Sequence, residues 1–449
     1  MQAKERVFAL YAAGEVTEAL ALAERLLPLD DRDPFLWNLA AVCHRRLGHG
    51  ERAASRWLEA LRLKPDFVEA CNNLGSLLAE EKRYAEGERF FRQALAIRPD
   101  HADAWYNLAI LLTETRRHAE AEGAYLRALE REPGHMDARY NLGLLRLSQG
   151  RFAAGWPLHE SRYHPDKSGR QSMPLSVSFP MWRGEELTGR RVLVIPEQGY
   201  GDQLQFCRYL ALLKARGVTC LTLVCPPLLQ SLFATLPGVD RVVAQTGSGV
   251  CPPHDYWTFL LSLPLHLGGV PATLPYLFPS RERVAHWNGR LFQGAGLRVG
   301  LVWKGSPTNS NDAHRSLPGL EVLAPLWSVP GVRFISLQKG NGEAQAVCPP
   351  PGQPLLNLGG GIRDFADTAA IVSLLDLVIG IDSAVVHLAG ALGKPCWVML
   401  SACGTDWRWM HDRADSPWYP GVMRLFRQDR PDDWSGVVEA VAGELRRAT

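Results

Sequence analysis

Several features that would place this sequence in a familiar class are missing from it. Its nine cysteines form no CxxC pair and lie mostly inside apolar runs, which favours reduced thiols over a zinc site or a disulfide framework. The formal charge is only +2, so bulk charge does not support nucleic-acid binding. No apolar run approaches the ~20 residues of a membrane span, and the N-terminus lacks the apolar core of a signal peptide. These absences predict a cytoplasmic protein without a transmembrane segment.

The first third of the sequence is repetitive. The segments NNLGSLLAE, YNLAILLTE and YNLGLLRLS follow one another with a 34-residue period, and Pro65, Pro99 and Pro133 recur at a second phase. A unit of this length, with small residues where helices touch and proline in the turn, resembles the tetratricopeptide repeat. We predict an α-helical solenoid over residues 1–163, with four clear or partial repeats and a doubtful one at the N-terminus. The copy around Asn38 is interpreted as carrying one extra residue near GHG.

Asparagine recurs in this array at Asn38, Asn73, Asn107 and Asn141. An amide has both a donor and an acceptor, so a ladder of such side chains can hold an extended peptide backbone without reading its sequence. The repeat-bearing O-GlcNAc transferases, which this half resembles, use a ladder in that way. The alternative is that asparagine stands at this position for structural reasons. The array therefore predicts a protein or peptide partner, and these four residues are its candidate contacts.

The repeat pattern ends where a segment rich in Pro, Ser and Gly begins, and we assign residues 164–189 to a linker. Beyond it, strand-like runs such as RVLVIP and VTCLTLVC alternate with helix-like ones, and the same rhythm restarts at LRVGLVWKG. Alternation of this kind predicts parallel sheets built from βαβ units. We expect two Rossmann-like domains facing each other, over residues 190–290 and 291–449.

The first of these domains begins with the loop PEQGYGDQLQF, in which Gly199 and Gly201 flank a tight strand-to-helix turn. A dinucleotide fingerprint needs a small residue where Leu204 stands and an acid at the end of the next strand, which reads LVCPP instead. A nicotinamide oxidoreductase is therefore disfavoured. The nearest DxD motif, at residues 31–33, lies at a repeat boundary and is interpreted as helix capping. We expect neither a cofactor nor a divalent metal.

The second domain contains GIDSAVVHLAGALGKP directly after the apolar run DLVIG. A strand end followed by a helix start is where open α/β sheets bind ligands, and the first N–H groups of the helix attract an anion. Ser383 and neighbouring amides suit the oxygens of a diphosphate. Asp382 suits a helix cap or a sugar hydroxyl, and His387 adds a hydrogen-bond donor.

Together, GIDSAVVHLAGALGKP, EQGYGDQLQFCRYLALL and SACGTDWRWMHDRADSPWYPGVMRLFRQ resemble the heptosyltransferase-like family, in particular a bacterial subgroup whose transferase follows tetratricopeptide repeats. The resemblance implies a GT-B fold and transfer of a sugar from a nucleoside diphosphate without a catalytic metal. It also implies that Asp202 is the base that removes the acceptor proton. The alternative is that Asp202 only caps its helix.

The leaving diphosphate needs cations and hydroxyls. The loop WKGSPTNSNDAHRSLP offers Lys304, Ser306, Thr308 and Arg315. In heptosyltransferases a basic residue in the corresponding place contacts the donor phosphate, and Arg315 is the closer match to it. Further along, Gln338 is expected to border the base or the ribose, and Ile362 to line the nucleobase.

The sequence therefore predicts a glycosyltransferase that moves a sugar from a nucleoside-diphosphate sugar to an acceptor, possibly a protein or peptide recruited by the repeats. Lipid-linked acceptors remain open. The alternative function is a protein-interaction scaffold whose transferase-like domain is inactive. Neither the base and sugar of the donor nor the acceptor follows from these motifs.

Overall fold

The computed structural model describes residues 2–168, 177–245, 253–291 and 294–449. The chain divides into two compact units. The array unit consists of Met1–Leu145 and Leu158–Arg170, and the α/β unit consists of Arg146–Pro157 and Gln171–Thr449.

Ten helices lie in the N-terminal part of the chain that the structure describes, and the first eight pack as consecutive pairs. They are α1 (Gln2–Ala12), α2 (Val16–Leu26), α3 (Pro34–Arg46), α4 (Gly50–Leu63), α5 (Val68–Glu80), α6 (Tyr84–Ile97), α7 (Ala102–Glu114), α8 (His118–Arg131), α9 (Met136–Ser148) and α10 (Phe152–His159). A short 3₁₀ turn, Glu160–Tyr163, follows the last helix. The doubtful N-terminal repeat is thus a helix pair like the others.

The repeat period is 34 residues without an interruption. Helices α3, α5, α7 and α9 begin at residues 34, 68, 102 and 136, and α4 begins 34 residues before α6. The extra residue expected near GHG is therefore wrong, because that turn has the same length as the later ones. Asn38 consequently occupies the repeat position of Asn72, one place before the position shared by Asn73, Asn107 and Asn141.

Close approach of helices requires small residues at the contacts within the array. Ala60, Ala94 and Ala128, one per repeat, are fully buried. A Cβ atom on Gly75 would lie 2.8 Å from the ring of Phe91. Side chains any larger would separate α5 from α6, so these small residues set the spacing of the pairs.

The α/β unit begins with a parallel sheet in the order β3-β2-β1-β4. Its strands are β1 (Arg191–Ile195), β2 (Cys220–Cys225), β3 (Arg241–Ala244) and β4 (Tyr256–Phe259), and its helices are α11 (Tyr200–Phe206), α12 (Leu210–Ala215), α13 (Pro227–Phe233) and α14 (Leu263–Leu267).

A second parallel sheet follows in the order β10-β9-β8-β5-β6-β7. Its strands are β5 (Leu297–Val302), β6 (Val332–Ser336), β7 (Leu356–Asn357), β8 (Leu377–Ile381), β9 (Cys396–Leu400) and β10 (Met423–Arg427). The helices that precede or join these strands are α15 (Arg281–Asn288), α16 (Asp312–Arg315), α17 (Glu343–Val347), α18 (Phe365–Ser373), α19 (Ala384–Ala391) and α20 (Ser435–Ala448). The two predicted parallel-sheet blocks are confirmed, and β8, which contains all of the run DLVIG except its first residue, is buried along its whole length.

Two boundaries differ from the sequence prediction. Residues 146–157 belong to the α/β unit rather than to an array ending at residue 163, because the indole of Trp156 packs edge-on against Phe206 and Trp407, at ring distances of 6.0 and 5.4 Å. The predicted linker 164–189 also ends early. Residues 169–176 of the linker lie outside the described residues. Trp182, however, is fully buried, and its backbone N–H donates to the carbonyl of Trp257 in β4, at 2.7 Å.

Candidate functional site

Both sheets reverse their strand order beside their first strand. In the first sheet β1 lies between β2 and β4, and in the second sheet β5 lies between β6 and β8. A reversal of this kind leaves a crevice at the carboxyl ends of two neighbouring strands, where open parallel sheets bind ligands. The loops after β1, β5 and β8 carry most of the residues selected from the sequence, and the topology brings them to these crevices.

Asp202 is the third residue of α11, directly after the β1 loop. Its Oδ2 accepts a hydrogen bond from the N–H of Gly199 at 2.8 Å, which is a helix-capping contact. Its Oδ1 forms an ion pair with Arg408. Burial raises the pKa of Asp202, and the Arg408 guanidinium opposes that rise. A carboxylate can accept about four hydrogen bonds, so these two contacts leave it able to accept another one.

Arg408 is the centre of this arrangement, and its side chain is only 5% exposed. Besides Asp202 it contacts both carboxylate oxygens of Asp406, at 2.9 and 2.8 Å, and donates to Oε1 of Gln198 at 3.3 Å. Its Nε is buried and has no hydrogen-bond partner among the residues that the structure describes. Gln198 and Asp202 follow β1, whereas Asp406 and Arg408 follow β9, so this guanidinium joins the two sheets of the α/β unit.

Ser383 and Asp382 stand between β8 and α19. Ser383 is the N-cap residue of α19, yet its hydroxyl makes no capping hydrogen bond, and the buried Oγ has no partner in the described part of the chain. An unsatisfied buried hydroxyl is costly, so this oxygen is available to a water molecule or to a bound ligand. Burial, followed by the negative charge of Asp406, raises the pKa of Asp382 to about 6, while Arg315 acts in the opposite direction.

His387 lies one turn into α19 and is enclosed by aromatic rings. Its Nδ1 is 2.9 Å from the hydroxyl of Tyr419, and its ring stacks on Trp409 at 5.0 Å. Its Nε2 is 3.8 Å from Oδ1 of Asp382. Burial, and then the charge of Arg408, lowers the pKa of His387 to about 3. The imidazole is therefore neutral at physiological pH and acts as a hydrogen-bonding group rather than as a cation.

The loop after β5 supplies the cations predicted for a phosphate. Arg315 is held by Oδ1 of Asp312 at 3.3 Å and is close enough to lower the pKa of Asp382. Lys304 lies at the start of the same loop, with its side chain against the backbone of Gly342. Two further predicted residues pair with each other at the surface, since the Oγ atoms of Ser306 and Thr308 are 2.8 Å apart.

Gln338 follows β6 and is only 2% exposed. Its Oε1 accepts from the N–H groups of Trp303 and Lys304, and its Nε2 donates to the carbonyls of Lys304 and Asn341, at distances of 2.7 to 3.0 Å. The side chain therefore braces the start of the β5 loop, and its contact with a ribose stays a prediction. Ile362 is buried just before α18, and its contact with a nucleobase also stays a prediction.

The asparagines of the array make contacts inside the array. Nδ2 of Asn107 donates to Oδ1 of Asn72 at 3.0 Å, and Nδ2 of Asn141 donates to the hydroxyl of Tyr106 at 3.3 Å. Each joins one repeat to the one before it, which is the structural role that the sequence left open. Asn38, from the preceding position, instead accepts from the indole N–H of Trp57 at 3.0 Å.

Asn73 stands at the same repeat position as Asn107 and Asn141, and its backbone carbonyl is 3.5 Å from a guanidinium nitrogen of Arg45. The four predicted contacts therefore do not form one uniform ladder, because Asn38 is out of phase. Peptide binding by these side chains stays a prediction.

Sequence reasoning missed Arg408, Asp406 and Tyr419. They lie in the stretch SACGTDWRWMHDRADSPWYPGV, in which the resemblance to the heptosyltransferase-like family assigns no role to these three residues. A usable signal was present, since an arginine stands between two tryptophans and an aspartate directly precedes them, a few residues after a buried strand. Buried charges rarely occur without partners, and here the partner is the candidate base itself.

Three other properties complete the description. The residues that the structure describes contain no group of three or more His, Cys, Asp and Glu side chains placed to hold a metal ion. The motif at residues 31–33 is a helix cap as predicted, because Oδ1 of Asp33 accepts from the N–H of Phe35 at 2.9 Å. In the described ranges, no helix combines the length and the apolar character needed to cross a membrane.

Comparison with known proteins supports the assignment of the array. Residues 68–133 match the family described as tetratricopeptide repeat. The chain is similar to Protein FlbA of Caulobacter vibrioides, with 32% identity over 330 residues, covering 67% of this chain and 53% of FlbA. The chain thus spans about half the length of this curated relative.

Solved structures similar to this chain include Pseudomonas aeruginosa PilF, at 16% identity and a TM-score of 0.34, covering 36% of this chain and 73% of PilF. They also include PilW, described as a type IV pilus biogenesis factor, at 23% identity and a TM-score of 0.34, covering 35% of this chain and 74% of PilW. The family match and the unbroken period together show that the chain contains tetratricopeptide repeats, and the sheet topology shows that a parallel-sheet α/β region follows them.

Proposed function

We propose that this protein is a glycosyltransferase of GT-B type that transfers a sugar from a nucleoside-diphosphate sugar to an acceptor recruited by the repeats. The observation that carries the proposal is the crevice between β5 and β8, where the sheet order reverses. Around it stand a helix start with an unsatisfied serine hydroxyl, Ser383, and a cation held on the facing loop, Arg315. This combination suits the oxygens and the charge of a diphosphate.

The acceptor side of the proposal depends on Asp202. Burial raises the pKa of its carboxylate, which makes it a stronger base than an exposed aspartate, and Arg408 opposes that rise. The proton would pass from the acceptor hydroxyl to this carboxylate while the acceptor oxygen forms its bond to the sugar and the bond from the sugar to the diphosphate breaks, so that the diphosphate leaves with the bonding electrons. His387 is neutral, so it contributes hydrogen bonding and not charge to the leaving group.

Binding of the donor tests the first part. In calorimetric titrations of the intact protein with ADP-, UDP-, GDP- and CDP-sugars, we expect one nucleotide class to bind. Ser383→Ala should weaken this binding by about tenfold, the value of one charge-assisted hydrogen bond of ~1.4 kcal/mol. The matched control is Ser435→Ala, which alters a serine at the start of α20. Equal weakening by both variants would contradict the assignment of the crevice.

Transfer tests the second part. Asp202→Asn should keep donor binding and lower turnover by at least about 100-fold, the usual size of general-base catalysis. Turnover should persist in the presence of a chelator, because the proposed chemistry uses no divalent cation. If no nucleotide sugar binds, and neither hydrolysis nor transfer occurs with any donor, the transferase proposal fails. Protein interaction through the repeats would then be the remaining function.

A further inference from the structure

Arg408 is a buried cation whose partners come from both sheets of the α/β unit. Arg408 lies in the 3₁₀ turn Trp407–Trp409, whose N-cap residue Asp406 accepts from the backbone N–H of Arg408 at 2.9 Å. Asp406 also binds the guanidinium, so the same carboxylate holds both the main chain and the side chain of Arg408. Asp406 therefore fixes the orientation of the guanidinium independently of its contact with Asp202.

Aromatic rings restrict the guanidinium on its other faces. It lies 4.5 Å from the ring centre of Trp407 and 5.5 Å from that of Phe206. Phe206 is one helical turn after Asp202 on α11, so a single guanidinium packs against the helix that carries the carboxylate and pairs with the carboxylate itself. On the loop before α11, Gln198 has a left-handed backbone, with φ of 60°, and its amide accepts from Arg408. Such a conformation persists in a non-glycine residue where surrounding contacts hold it.

Several charged or titratable groups surround Asp202. Arg408 and Asp406 face it from the loop after β9, Glu197 faces it from its own loop, and His387 on α19 lies against Gly201, the residue before it. Of these, Arg408 is the cation that favours the ionised carboxylate, while the two acids and burial disfavour it. Since His387 stays neutral, it adds no compensating charge.

We infer that Arg408 is a positioning residue, which orients Asp202 toward the acceptor and keeps it ionised at neutral pH. This inference rests on the proposed function. Arg408 acts through Asp202, because its two terminal nitrogens are occupied by Asp202, Asp406 and Gln198. A role in binding the diphosphate would require it to release these partners.

The test compares Arg408→Met, which removes the charge, with Arg408→Lys, which keeps it. In the intact protein we expect Arg408→Met to move the acid limb of the pH dependence of kcat upward by at least one pH unit. It should lower kcat at pH 7 by about tenfold or more and leave the KM for the donor within about threefold of the original. Arg408→Lys should restore the original limb position in large part. The inference would be overturned if Arg408→Met raised the KM for the donor and left the acid limb of the kcat profile in place. It would also be overturned if both variants lost kcat equally and the acid limb moved in neither.

A second measurement does not require activity, so it separates failure of this inference from failure of the proposed function. The unfolding equilibrium is measured at pH 7 for the parent, Arg408→Met, Asp202→Asn and the double variant. We expect the two single effects to be coupled by at least about tenfold in the unfolding constant, because each single change takes one charged partner away from a buried charge. Additive effects would show that the two side chains do not act as a pair and would overturn the inference even in an active enzyme.

Discussion

The imidazole of His387 lies against the backbone of Gly201, so closely that a Cβ atom on residue 201 would be 2.9 Å from Cδ2 of the ring. The same Cβ would be 3.6 Å from Cα of Ala384, the first residue of α19. The starts of α11 and α19 can therefore approach each other only because residue 201 has no side chain. This glycine, read in the sequence as part of a tight turn, permits contact between two helices of different sheets.

Gly201→Ala should disturb this contact. The imidazole cannot withdraw easily because Tyr419 and Trp409 hold it, so we expect a loss of about 1–3 kcal/mol in unfolding free energy. Donor binding should weaken as well, because α19 would shift. The control is Gly289→Ala, where a Cβ meets no atom within 4 Å. Thermal unfolding and calorimetric titration of both variants check the expectation, and identical behaviour of the two would contradict it.

Asp376 and Asp382 lie immediately before and after β8 and should give opposite pH dependences. The pKa of Asp382 is raised to about 6, so its burial as a carboxylate costs stability progressively as the pH rises from about 4 to about 6. Burial alone would raise the pKa of Asp376 too, but hydrogen bonds from Arg298 outweigh it and lower that pKa. Its contribution is therefore present at neutral pH and lost on acidification below about 4.

Asp382→Asn should therefore increase the unfolding free energy at pH 7 by about 1–3 kcal/mol and flatten its pH dependence between pH 4 and 6. Asp376→Asn should instead destabilise the protein at pH 7, with a difference that shrinks in acid. Denaturant titrations at several pH values measure both. A stabilising effect of similar size from both substitutions would show that the two carboxylates are not in the opposite environments described.

Much of the fold follows from local pattern. The repeats are visible because each must bury the same helix faces, and β8 is visible because a strand covered on both sides is apolar throughout. The predicted register of Asn38 is one position off because it depends on residue identity, whereas the turn lengths set the repeat position. Arg408 could not be derived as the partner of Asp202, because the two are far apart in sequence and meet only when both sheets are folded. Periodicity carries no information about such pairs.

Asp367 connects α15 to α18 and should contribute substantially to stability. It is fully buried, and it accepts from the indole of Trp287 at 3.1 Å and pairs with Arg283 and Arg363, both at 2.9 Å. Burial alone would raise its pKa, but the hydrogen bonds from Arg363 and Trp287 outweigh it and hold the pKa far below the ordinary range. Its stabilising effect is therefore complete at neutral pH and is lost as the pH falls below about 4.

Asp367→Asn should cost about 2–4 kcal/mol at pH 7, because it leaves Arg283 with a weaker partner in a buried setting. Arg363→Ala is the graded control, since that side chain is 69% exposed and its loss should cost less. Chemical denaturation at pH 7 and pH 4 measures both variants. A larger loss for Arg363→Ala, or a loss for Asp367→Asn that grows in acid, would contradict the assigned charge state.

Trp156 should stabilise the α/β unit although it lies on α10, a helix that the repeat pattern assigns to the array. Its indole is 4% exposed and packs against Phe206, on the helix of Asp202, and against Trp407, the neighbour of Arg408. Trp156→Ala should cost about 3–5 kcal/mol, as for other buried tryptophans. Trp57→Ala is the matched control, because Trp57 is fully buried in the core of the array unit.

Differential scanning calorimetry of the intact protein distinguishes the two variants if the two units unfold in separate transitions. Trp156→Ala should lower the transition that Asp367→Asn also lowers, and Trp57→Ala should lower the other one. Because Trp156 supports both the helix of the candidate base and the turn of its arginine partner, it should also reduce kcat more than donor affinity. If Trp156→Ala and Trp57→Ala lowered the same transition, residues 146–157 would have to be reassigned to the array.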